Sequence, residues 1–97
     1  MLLTNLFQLT QDLDKNLNLF YSNDSLKHAI PIRKINLTSD KCCLICKEGN
    51  PRTLRDLNSL LGKIKQKNIP VFIEYLHSTY NIFGLQINNE NKQIYLK

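Results

Sequence analysis

The chain has 97 residues, 42% of them hydrophobic and 22% charged, with 13 Lys and Arg against 8 Asp and Glu, a net charge of +5. That size gives one small domain with a buried core, and the ordinary hydrophobic content excludes intrinsic disorder. No stretch nears the eighteen consecutive apolar residues of a membrane span, and MLLTNLFQLTQDLDKN lacks the charged start and unbroken apolar run of a secretory signal.

The first element is a helix carrying Leu3, Leu6, Leu9 and Leu13 at helical spacing. Leu17, Leu19 and Tyr21 alternate as a strand, and SNDS at residues 22–25 turns the chain. In the next strand Ile30 and Ile32 give way to Ile35 and Leu37, a one-residue slip of the kind a β-bulge makes. TSDK at 38–41 is a turn, and Leu44 and Cys46 mark a third strand. EGNP at 48–51 is the joint between the first half of the chain and the second.

Thr53 with Asp56 three residues on forms an acidic helix-start box. Leu54, Leu57, Leu60, Leu61 and Ile64 place a helix there, ending near Lys67 and Asn68. IPVFIEYL at 69–76 reads as a strand with Pro70 near its start, and residues 77–79 as a turn. A strand over 80–87 slips phase at Gly84, NNEN at 88–91 turns, and QIYLK is the last strand.

The two halves superimpose by spacing. Leu3, Leu6, Leu9 and Leu13 stand 51 residues before Leu54, Leu57, Leu60 and Ile64, and Leu17, Leu19 and Tyr21 stand 52 before Ile69, Val71 and Ile73. The expected fold is α+β: two tandem degenerate αβββ units, 1–48 and 49–97, whose antiparallel meanders pack as one pseudo-two-fold domain. Either the meanders join edge to edge under two helices, or they stack face to face.

The crowded cysteines Cys42, Cys43 and Cys46 are odd in number, which fits a reducing compartment, so the chain reads as cytoplasmic. Cys43 and Cys46 have C-x-x-C spacing, but a structural zinc site needs four ligands, and His28 and His77 stand far apart in sequence. On a strand Cys43 and Cys46 point to opposite faces, and Cys42 and Cys46 lie roughly 13 Å apart on one. No metal or other cofactor is expected. With three glycines there is no phosphate loop and no nucleophile elbow, so the chain reads as a non-enzyme.

Two binding readings remain. Phe20, Phe72 and Phe83 fall out of phase with their most apolar neighbours, and exposed aromatics on a small domain mark protein contacts. The first expectation is therefore an adaptor or inhibitor-like protein-binding module, with another protein or a second copy as partner. The alternative is nucleic-acid binding: residues 49–97 hold seven basic and three acidic groups, and Arg52, Arg55, Lys63, Lys65 and Lys67 cluster on and around the second helix.

Overall fold

The computed structural model describes residues 1–63 and 68–97. The fold is α+β, two helices and one seven-stranded mixed sheet, in the order α1 (Leu3–Thr10), β1 (Asn18–Tyr21), β2 (Ile30–Leu37), β3 (Cys42–Cys46), α2 (Leu54–Leu61), β4 (Val71–Tyr75), β5 (Ser78–Asn81), β6 (Leu85–Asn88) and β7 (Gln93–Leu96). Among the described residues no helix is long and apolar enough to cross a membrane.

The strands lie in the order β5-β4-β3-β2-β1-β7-β6. Two ladders in it are parallel, β1 with β7 and β3 with β4. The sheet is thus not a pair of antiparallel meanders set edge to edge or stacked. Each three-strand run keeps its antiparallel hairpins, and the first strand of one half joins the last strand of the other in parallel. Single-sequence periodicity carries no strand direction, so this pairing is invisible to it.

The sheet also curls. β5 and β6 stand at its two ends, yet only Ile82, Phe83 and Gly84 separate them. In a flat sheet those ends would be roughly 29 Å apart at about 4.8 Å per strand. The connecting chain spans at most about 14 Å. Curvature encloses one core, where Leu19, Tyr21, Leu44, Val71, Ile73, Ile94 and Leu96 meet Leu3 and Leu6 of α1 and Leu54 and Leu57 of α2.

The two phase slips are where the backbone is irregular. In β2 the register with β3 shifts between Ile32, opposite Cys46, and Lys34, opposite Ile45, so Arg33 is the extra residue. In the second half the strand expected over 80–87 is split. β5 pairs with β4 and β6 pairs with β7, and the turn of direction falls at 82–84.

Local signals explain the ends of the elements. The Thr53–Asp56 box forms as its residues dictate: the Thr53 hydroxyl accepts from Asp56 N–H at 3.3 Å, and Asp56 Oδ2 accepts from Thr53 N–H at 2.9 Å. α2 is described as far as Leu61. Gly62 N–H closes on Asn58 O and Lys63 N–H on Leu60 O, while Ile64 and the expected helix end at Lys67 lie outside the described residues. In α1, Lys15 Nζ donates to the carbonyls of Thr10 and Gln11 at 3.0 and 2.8 Å, a cationic cap at the negative end of the helix. Leu9, read as a core position, is 52% exposed, because α1 turns only Leu3, Leu6 and Thr10 fully inward.

The β4–β5 hairpin turns at Leu76 and His77, one residue earlier than expected, with Tyr75 opposite Ser78. Both turn residues have positive φ, 51° and 66°, a conformation that suits Asn-Gly and not a branched side chain. Leu76 is also 75% exposed, so it gains little from burial in exchange. Replacing the pair by Asn-Gly should raise the unfolding free energy by about 1 kcal/mol, read as a higher urea midpoint at unchanged slope.

Candidate functional site

The clearest concavity is a basic groove between the bulged part of β2 and the start of α2. Lys34, Ile35, Arg52, Asp56, Ser59 and Leu60 enclose about 410 Å³. A second hollow of about 380 Å³ shares Lys34 and Arg52 with the first and adds Arg33, Ile45 and Lys47. Four cations from three chain segments thus line one continuous surface: the β2 bulge, the end of β3, and the loop before α2.

Two of the four are anchored on main-chain carbonyls. Arg33 Nη1 donates to Glu48 O at 3.0 Å, and Arg52 Nε donates to Arg33 O at 3.0 Å. The backbone repeats the link, with Arg52 N–H donating to Ile32 O at 2.7 Å. The bulge is what makes this possible, since it turns Arg33 out of the ladder toward the loop. Gly49 completes the arrangement, its α-carbon lying under the Arg33 guanidinium at a φ of 131°. Lys34 and Lys47 are exposed, and among the described residues their ammonium groups make no hydrogen bond.

Nearby acids are otherwise engaged. Asp56 Oδ2 takes the Thr53 N–H, and Glu48 Oε1 lies within hydrogen-bond distance of His28 Nε2, at 3.3 Å. Among the described residues none of the four cations has a carboxylate within ion-pair distance.

The basic residues that the sequence points to divide. Arg52 belongs to the groove. Arg55 turns away, its Nη2 donating to Asn16 Oδ1 at 3.3 Å in the α1–β1 loop. Lys63 is exposed beyond the end of α2, and Lys65 and Lys67 lie outside the described residues. Charge clustering along the chain misses Arg33, Lys34 and Lys47, because they sit on and beside strands in the less basic half. The available signals are the phase slip at Arg33 and the glycine of EGNP.

The three aromatic candidates occupy three places. Phe20 is half-buried against Tyr95, ring centroids 6.0 Å apart. Phe72 is half-buried on the outer face of β4, opposite Cys43 and Asn81. With β3 and β2 between their strands, Phe20 and Phe72 are separated by roughly 14 Å across the sheet. Phe83 is 86% exposed at the β5–β6 bend, where it lines a hollow with Ser22, Asn23, Asp24 and Lys97.

Cys42 and Cys46 lie in the core, and burial pushes their thiols up to about 11 and about 12. Such thiols stay protonated and unreactive at neutral pH. Cys43 points to the opposite face, and among the described residues no three His, Cys, Asp or Glu side chains gather as metal ligands. Comparison of the chain with family models, with curated proteins and with solved structures finds no match.

Proposed function

We propose that the protein is a non-enzymatic binding module that takes a nucleic acid along the groove between β2, the end of β3 and the start of α2. The observation that carries this reading is the convergence of Arg33, Lys34, Lys47 and Arg52 on one surface where, among the described residues, a single carboxylate, Asp56, joins them and forms no ion pair with any. Uncompensated cations at close range are costly to gather unless an anion neutralises them, and a phosphate backbone supplies a row of such charges. The net charge of +5 acts in the same direction.

The test is fluorescence anisotropy with labelled DNA and RNA at graded salt. Four neutralised phosphates predict a slope of log K against log salt of about −3 to −4. The double variant Lys34→Glu/Lys47→Glu should weaken binding by more than about tenfold and flatten that slope by about two. Salt-independent binding, or a variant that binds as well as the parent, would remove the reading.

A protein-contact reading is favoured by one separate observation, the 86% exposure of Phe83. A large ring held in water at a strand bend fits burial against another protein or a second copy of the chain.

We also read the chain as two αβββ units, 1–48 and 49–97, folded as one pseudo-two-fold domain. What supports this is a set of hydrogen bonds that exchange places under the same offsets of 51 and 52. Leu3 N–H donates to Ile69 O, and Leu54 N–H to Leu17 O; Val71 N–H donates to Met1 O, and Leu19 N–H to Arg52 O. Bridges Leu2–Pro70 and Thr53–Asn18 are related in the same way. In each case the entry to one half's helix is bonded to the first strand of the other.

A further inference from the structure

We infer that the groove receives the phosphodiester backbone of a double-stranded nucleic acid, independent of sequence, and does not take unpaired bases; this rests on the nucleic-acid reading above. Proteins that hold single strands without sequence preference stack bases on aromatic rings, at about 1–3 kcal/mol per base. The apolar part of this groove is aliphatic: Ile35, Ile45 and Leu60. Among the described residues no aromatic ring lines either hollow: Phe20 packs on Tyr95 and Tyr21 on Tyr80, Phe83 lines the hollow beside Asp24, and Phe72 lies over on β4.

The arginines suit phosphate better than base edges. A guanidinium that reads guanine must be free to align both of its arms in the plane of the base. Arg52 has its Nε committed to Arg33 O, and Arg33 has an Nη committed to Glu48 O. Each keeps one two-pronged fork, Nη1 and Nη2 on Arg52 and Nε and Nη2 on Arg33, anchored by that bond, so it meets a phosphate at one place and is poorly suited to searching along base edges.

The carboxylates set the depth. Asp56 is part of the groove wall, and Glu74 stands across the β3–β4 ladder from Ile45. A small phosphorylated ligand seated deep in the groove would lie against Asp56. A stiff backbone resting across the rim meets the ends of Lys34, Lys47 and the arginines first. Their backbone positions are fixed by strands and a helix start, and a duplex presents its phosphates as a regular row, whereas a flexible strand must be ordered to do so.

The experiment compares the full chain's affinity for two unrelated duplexes of roughly 20 base pairs with its affinity for their separated strands, at one salt concentration. The duplexes should bind within about twofold of each other and at least about tenfold more tightly than either strand. Phe83→Ser should leave duplex affinity within about twofold, while Lys34→Glu should lower it by about fivefold or more. Equal or tighter binding to single strands, loss of binding in Phe83→Ser, or a strong difference between the two duplexes would overturn the inference while leaving a nucleic-acid ligand in place. Binding to neither form would overturn the nucleic-acid reading as well.

Discussion

Cut between Glu48 and Gly49, the chain should give two fragments that are each unfolded alone and that fold together when mixed. Each fragment is about half of a domain that is already small, and chains approaching the lower limit of about 40 residues bury so small a share of their surface that they are marginal at best. The specific losses are larger than size suggests. Fragment 1–48 would keep β1–β2 and β2–β3 but expose the outer edges of β1 and β3, which pair with β7 and β4. Fragment 49–97 would lose the same two ladders from its side, and its β6–β7 hairpin would be connected to β4–β5 only through the 82–84 bend. Both helices would lose the anchor of their first turn, since Leu3 N–H bonds to Ile69 O and Leu54 N–H to Leu17 O. Leu3, Leu6, Leu54 and Leu57 would be uncovered in a core they now share. Circular dichroism should show a disordered spectrum for each fragment and recovery of the parent spectrum at equimolar mixing. A cooperative thermal transition in either fragment alone would show that the two halves are independent.

How much of this is legible in the sequence depends on whether the signal is local. The start of α2 is, because Thr53 and Asp56 satisfy each other's backbone N–H groups within four residues. The two phase slips are also legible, since an extra residue in a period-two pattern leaves a mark whatever it pairs with. What the slips do is less so. At Arg33 the strand bulges and continues, whereas at 82–84 it leaves one side of the sheet for the other. Nothing in Ile82-Phe83-Gly84 alone separates those outcomes, because the choice is made by which strands lie alongside. The groove is not legible for the same reason. Basic residues counted along the chain point to α2, but Arg55 bonds away from the groove, and Arg33 and Lys47 reach it from the other half. Charge density in sequence is a poor guide to charge density in space when a bulge and a loop bring distant residues together.

Gly49→Ala should both destabilise the fold and damage the groove. A β-carbon there would stand 2.0 Å from Arg33 Nη1 and 2.9 Å from Arg33 Cζ, so the guanidinium must leave its place. It would then give up Glu48 O, to which it now donates. The backbone adds a second cost, because a φ of 131° is one that residues with a side chain rarely adopt. Strain of that kind amounts to about 1–3 kcal/mol, which for a domain of this size lowers the melting temperature by roughly 5–15 °C. The two costs separate in a double-mutant cycle. Arg33→Ala removes the clash and one cation but keeps the glycine, so it should reduce the salt slope by about one with a smaller effect on stability. Adding Gly49→Ala to Arg33→Ala should then cost only the backbone part, and the two changes together should destabilise by less than their separate sum. Strict additivity would mean that Gly49 serves the turn alone and that Arg33 is not seated on it. A Gly49→Ala protein that melts and binds like the parent would remove the Arg33–Gly49 seat from the account of the groove altogether.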